Sequence, residues 1–206
     1  MSHSVIDFDP VSHQYRVGGI VRPSVTQILG SANIINAEWY SADAAARGSA
    51  VHAAAHYADE NDLDDAWREQ SPYAGYLRAW EKFKAESGFI VELVEERVFH
   101  PEGGYAGTLD RTGFIGTSRV LLDLKTGGYE DWHPVQLSAY TACRPNPRTY
   151  RRMNVYLRGD GKYSIREYPS GEYSRDFGVF TAAATIFHFN NRKKVSNGNR
   201  RTTAAA

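Results

Sequence analysis

Apolar and polar residues alternate with a period of two in four places along the chain: Ile6 to Val21, Phe89 to Phe99, Tyr105 to Phe114 and Arg119 to Lys125. Period two is the signature of a strand with one face buried. The first run turns at Gly18-Gly19 and predicts an N-terminal β-hairpin. Pro23 and Ser24 open a short helical segment, SVTQILG, stopped by Gly30, and a loop follows to about Trp39. Ser41 is an N-cap, with Asp43 in the first turn, for an alanine-rich helix SADAAARGSAVHAAAHYADEN. Gly48 stands inside that helix at a cost of about 1 kcal/mol against alanine, which suggests a close approach to the backbone there. His52 follows four residues on, on the same face. Ser71 and Pro72 start a second helix that ends at Gly88, with Tyr76, Leu77, Trp80 and Phe83 at helical spacing.

Gly103-Gly104 is the turn between the second and third alternating runs. Pro134 begins a helix, HPVQLSAYTAC, that breaks at Pro145. Tyr150 to Arg158 and Tyr163 to Tyr168 flank Gly159-Asp160-Gly161 as a last hairpin, and a final helix runs from about Glu172 to Asn191. The predicted architecture is α/β: a central mixed β-sheet flanked by helices, plus the N-terminal β-hairpin. Residues 1–191 read as a single domain and 192–206 as a basic, disordered tail without periodicity.

Composition changes this picture little. A chain of 206 residues suits one substantial core. Lysine plus arginine equal aspartate plus glutamate, 24 against 24, so net charge selects no partner. The distribution is lopsided: the stretch Asn61 to Asp65 is acidic, while Arg144 to Arg152 and Arg192 to Arg201 are basic, as suits a surface that meets an anion on one side. Cys143 is the single cysteine, which excludes a disulfide framework and a cysteine-based zinc or iron–sulfur site. With no apolar leader and no run of about 18 apolar residues, the expected setting is the cytoplasm, with no membrane.

The chemistry concentrates between Tyr105 and Tyr140. Asp110 and Asp123 lie on neighbouring strand segments, and Lys125 follows Asp123 by two, so Asp123 and Lys125 share a face. Surface strands often carry such charges. Here the surrounding residues, VLLDLKT, are too apolar for a solvated edge, and charges in a buried strand are costly unless paired or metal-bound. Two converging carboxylates suit Mg²⁺ or Mn²⁺, and a lysine beside them can hold an attacking water or offset charge on a phosphate. His52 and His56 are spaced i, i+4, but Ala53 stands where the zinc protease signature needs glutamate; His56 reads as structural. No phosphate-binding loop occurs, and the glycines read as turns. Trp39, Trp67, Trp80 and Trp132 read as core, although Trp132 and Tyr129 follow directly on the Asp-x-Lys strand and are the best candidates for stacking on bases. Arg144, Arg148, Arg151 and Arg152 are either phosphate contacts or a solvated face.

Gly48-x-x-x-His52, Gly107-Thr-Leu-Asp110, Asp123-Leu-Lys125-Thr126 and Gln136-x-x-x-Tyr140 come in an order that resembles the RecB-like branch of the PD-(D/E)XK nuclease superfamily. The opening SHQYRVGGIVRPSVTQIL is similar to that of phage-encoded members. The resemblance implies a restriction-endonuclease-like core, with Asp110 and Asp123 as metal-binding carboxylates and Lys125 as the catalytic lysine. It further implies His52 and the main-chain carbonyl of Leu124 as added ligands of Mg²⁺ or Mn²⁺. Gln136 and Tyr140 would sit beside the DNA strand, and Gly48 belongs to the same motif set; Arg148 and Arg151 are DNA-contact candidates from the basic run alone. One departure is Leu109, where many members carry proline. Glu95 or Glu96 matches an upstream acidic position; only one of the pair can face the site, and Glu95 is chosen. The implied activity is a metal-dependent deoxyribonuclease, a phage exonuclease for recombination, replication or DNA processing. Its partners would be DNA and a phage recombination or replication protein, with room for an oligomer. The alternative is a nucleic-acid-binding module that keeps the fold without cleaving.

Overall fold

A computed structural model describes residues 5–35 and 41–202, with side chains to 192. The expected loop as far as Trp39 therefore falls partly outside the described residues. Five strands form the central sheet in the order β4 (Phe89–His100), β5 (Tyr105–Ile115), β6 (Ser118–Lys125), β7 (Arg151–Leu157) and β8 (Tyr163–Tyr168). All neighbours are antiparallel except β6 and β7, which are parallel and joined through helix α5 (His133–Ala142). A parallel pair needs such a crossover, and its strands, covered on both faces, read as apolar runs. That is why VLLDLK and RRMNVYL look alike.

At the N-terminus three strands, not two, form a separate antiparallel sheet: β1 (Ile6–Asp9), β2 (Gln14–Val17) and β3 (Ile20–Arg22). The extra turn forms because the Asp9 carboxylate accepts hydrogen bonds from the Val11 and Ser12 N–H groups and the Ser12 hydroxyl. Such local side-chain bonding is what makes aspartate a turn former. The Tyr15 hydroxyl, 2.8 Å from Thr108 Oγ1, ties this small sheet to β5.

Helix α1 (Val25–Ser31) is closed at its start by a capping box, in which Ser24 Oγ accepts from Gln27 N–H and the Gln27 side chain accepts from Ser24 N–H. Helix α2 (Ala42–Asp59) starts at Ser41, whose hydroxyl accepts from Ala44 N–H. A short helix α3 (Asp65–Gln70), capped by Asp64, was not evident from periodicity. Helix α4 (Ala74–Ser87) begins two residues after Pro72, and Gly88 ends it in the left-handed conformation. Helix α6 (Tyr173–Thr202) continues past Asn191, where the sequence pattern ends.

Two apolar cores lie on the two sides of the sheet. One packs α1, α5 and α6 around Ile28, Leu109, Leu121, Leu137 and Phe180. The other packs α2 and α4 around Val51, Trp80, Phe83, Leu122 and Val155. Helix α2 is clamped to the sheet by a buried ionic cluster: Asp59 accepts from Arg111 Nε at 2.8 Å, Lys84 Nζ at 2.5 Å and the Trp80 indole at 2.9 Å. Asp59 and Arg111 are both fully buried, so each charge depends on the other.

Candidate active site

The antiparallel pairing of β5 and β6 ends at Arg111 and Leu122. One step further along come Asp110 and Asp123, side by side where the backbones no longer pair. The Leu124 N–H donates instead to the Asp110 carboxylate, at 2.8 Å. This buried main-chain donor fixes Oδ2, the carboxylate oxygen that also lies nearest α2.

From α2, His52 reaches the same point. Its Nε2 donates to the Leu124 carbonyl at 3.0 Å, and Nδ1 lies 3.3 Å from Asp110 and 3.7 Å from Glu95. Burial alone would lower the basicity of this imidazole. The Asp110 and Glu95 carboxylates, with Asp123 behind them, outweigh burial and raise its pKa to about 9. Glu95 arrives by an irregular route. The register of β4 against β5 shifts between Val91 and Leu93, and Glu95 itself has φ 48°, in the left-handed region. Such a conformation costs about 1–3 kcal/mol for a residue with a side chain, and it tends to occur at functional sites. Glu96, the neighbour, turns the other way and pairs with Arg144.

His52, Glu95 and Asp110 each offer a ligand atom, all within 4.8 Å of one another, and together they could hold a metal ion. One imidazole with carboxylates is a donor set that suits Mg²⁺ or Mn²⁺. The Leu124 carbonyl is directed at the same place, occupied here with the His52 N–H.

Asp123 is held differently. Its Oδ2 lies 2.6 Å from Lys125 Nζ and accepts from Asn154 Nδ2 at 3.1 Å. Burial, and then the Asp110 charge, raise its pKa, while Lys125 opposes them. Asn154 stands opposite Asp123 on β7, is fully buried, and accepts through Oδ1 from the Tyr168 hydroxyl at 2.8 Å. It belongs to the site and was missed in the sequence. The signal was present: a polar residue inside RRMNVYL, the same anomaly that exposed Asp123.

Lys125 also donates to Gln136 Oε1 at 3.0 Å, and its Nζ lies 5.0 Å from the centre of the Trp132 ring. Gln136 in turn is 3.5 Å from the Tyr140 hydroxyl. Both are buried, 5% and 6% exposed, so they stand behind Lys125 rather than on a surface that a DNA strand could reach. Gly107 has its purpose here, because a Cβ would lie 2.6 Å from the Tyr140 ring. Nearby His133 has its pKa lowered to about 3 by burial and by the Lys125 charge; neutral, it accepts at Nδ1 from the Tyr156 hydroxyl at 2.9 Å.

A cleft of about 500 Å³ opens over this cluster, lined by Gly48, His52, Lys125, Gly128 and Trp132 among others. A Cβ on Gly48 would meet only Thr126 Oγ1, at 3.8 Å, so no protein atom crowds the backbone there. Two expected DNA contacts are not brought into the cluster. Arg151 stands opposite Val120, three residues back from the Asp123 position, and bonds Glu167 at 2.7 Å and 2.8 Å. Arg148 donates to Ser174 Oγ at 2.6 Å. Arg152, from the same basic run, is buried and paired with Asp176 at 3.0 Å. Long-range partners, invisible in the local sequence, take up these guanidinium groups.

Among the described residues, no helix is long and apolar enough to cross a membrane. No family model and no curated protein sequence matches the chain. Among solved structures, the chain is similar to an alkaline exonuclease from Laribacter hongkongensis, with 14% identity, a TM-score of 0.50, and 90% of this chain and 95% of that one covered. The same exonuclease in complex with dAMP matches at 13% identity and a TM-score of 0.45. At that identity the likeness is one of fold alone, the fold here being a mixed sheet flanked by helices and preceded by a small N-terminal sheet.

Proposed function

We propose that the chain is a divalent-metal-dependent deoxyribonuclease that hydrolyses phosphodiester bonds in the cleft above Asp110, Asp123 and Lys125. One observation carries this reading: an ammonium group is held 2.6 Å from Asp123, beside the cluster of His52, Glu95 and Asp110. A divalent cation in that cluster supplies positive charge beside a phosphate oxygen and acidifies water. The cation is Mg²⁺ or Mn²⁺ in this reading, held by His52, Asp110, Asp123 and Leu124, with Glu95 as the added carboxylate.

The protein's own groups divide the remaining work. An ammonium carries three N–H donors, and Asp123 and Gln136 accept two of those on Lys125. The third is free for a water or a phosphate oxygen in the cleft. Because both partners are buried, the amine is aimed before substrate arrives, which is the condition under which electrostatic stabilisation is most effective. Asn154 and Tyr168 keep Asp123 turned toward Lys125.

In finer terms, the chain acts as an exonuclease, the activity for which the protein that shares its fold is named, and its substrate is DNA. A phage recombination, replication or DNA-processing role in the host cytoplasm is what the resemblance of the motifs to phage-encoded nucleases implies. The test sets end-labelled linear DNA beside circular DNA, with Mg²⁺, Mn²⁺ or EDTA. Loss of linear DNA alone, and only with metal, is the expected result. DNA retarded but intact under all conditions would support the non-catalytic binding module instead and overturn the proposal.

A further inference from the structure

The active-site cleft does not end at Lys125. Gly127 and Gly128, in the loop after β6, line it, and they also line a second groove with Tyr129, Tyr156, Arg158 and Arg166. A Cβ on either glycine would meet nothing within 4 Å, so the floor between the two openings is bare backbone. The far wall of the groove is built by one contact, the Arg166 guanidinium over the Tyr129 ring, 3.6 Å from its centre.

Arg166 is placed by the same register that builds the catalytic cluster. Asp123 on β6 pairs with Asn154 on β7, and Asn154 pairs with Arg166 on β8. The three form a rank across the sheet, and two strand spacings set Arg166 about 10 Å from Asp123. Its charge is also unspent. Arg111, Arg144, Arg151 and Arg152 each meet a carboxylate, whereas Arg166 has no ion pair among the described residues. The Tyr129 ring holds the guanidinium against its face without neutralising it, and Tyr129 itself remains 38% exposed. A restrained, uncompensated arginine beside an accessible aromatic ring is the combination that single-stranded nucleic acids use, phosphate on the cation and base on the ring.

We infer that this second groove is the path of a single DNA strand running across Gly127–Gly128 to the scissile position, with Arg166 taking a backbone phosphate and Tyr129 a base. The inference deepens the nuclease reading and rests on it for the identity of the ligand. Duplex DNA would not exploit the ring, because its bases are already stacked on one another.

The test uses the full chain in EDTA, so that binding is read without cleavage, and a fluorescent oligothymidylate of about ten nucleotides, within the span such grooves cover. Fluorescence anisotropy is recorded over a series of salt concentrations. Tyr129→Ala and Arg166→Ala each weaken binding about tenfold, and Tyr129→Phe, which keeps the ring, restores it. Arg166→Ala also lowers the salt dependence by about one phosphate contact, whereas Tyr129→Ala leaves it unchanged. Lys162→Ala, on the adjacent turn and 71% exposed, controls for unspecific charge. Unchanged affinity in both groove variants, with their melting temperatures intact, would overturn the inference, as would an equal loss in Lys162→Ala. Failure of the nuclease reading looks different: the wild-type chain would leave linear DNA intact with either metal, whatever the oligonucleotide does.

Discussion

His52 Nε2 donates to the carbonyl oxygen of Leu124 at 3.0 Å, while the Leu124 N–H donates to Asp110 at 2.8 Å. One peptide position on β6 thus orients both the imidazole from α2 and the carboxylate from β5. The groups that could take up a metal are already bonded to one another without it.

The protonation of His52 follows from that arrangement. Its pKa is raised from 6.5 to about 9 in the folded, metal-free chain. A raised folded value means that this group's contribution to stability is complete below about 6.5 and disappears as pH climbs through about 9. Thermal melts in EDTA should therefore show a loss of stability between those values that His52→Ala lacks. Calorimetry in buffers of different ionisation enthalpy should show proton release when Mn²⁺ binds near pH 8, and none attributable to residue 52 in the variant.

Lys125→Ala should bind Mn²⁺ and DNA but cut DNA at least about a hundredfold more slowly, the usual loss for one preorganised donor. Full cleavage by this variant, measured on labelled linear DNA, would remove the amine from the mechanism.

Asp110→Asn should weaken Mn²⁺ binding in calorimetry by an order of magnitude or more. The amide oxygen of asparagine can still accept the Leu124 N–H, so the fold should survive, with a lower melting temperature at neutral pH because the His52 imidazolium loses its counter-charge. Unchanged metal affinity would detach Asp110 from the metal cluster.

Asn154→Ala should leave DNA affinity intact while lowering the cleavage rate, because Asp123 loses its buried donor and Tyr168 its acceptor. Asn154→Asp, which places a second carboxylate against Asp123, should weaken the chain further in thermal melts.

Asp59→Ala should destabilise the fold by about 3–5 kcal/mol, since Arg111 is left charged in the interior, and lower the melting temperature by about 10 °C. Replacing both partners, Asp59→Ala with Arg111→Met, should recover part of the loss.

How much of this was legible in the chain depends on the range of the interaction. Asp123 and Lys125 stood out because each interrupts an apolar strand, and a period of two set them on one face; the structure brings their charged atoms to 2.6 Å. Asn154 carried the same signal in a strand of the same kind. Glu95 is another matter, since its direction depends on a register shift at Val91–Leu93 and a positive φ, neither of which alternation encodes. The arginines on either side of Pro145 stay open between two readings in the sequence because their partners are not local. Their local run is basic, but Glu96, Glu167 and Asp176, far away in sequence, reach Arg144, Arg151 and Arg152. The third N-terminal strand was hidden by the turn at Asp9, which interrupts the alternation only briefly.

The left-handed backbone at Glu95 sets a conflict between robustness and chemistry. Asparagine or glycine would adopt φ 48° more easily, so a screen that rewards heat resistance alone should enrich those residues at position 95. Such winners would outlast the parent in a melt and lack the carboxylate that faces His52.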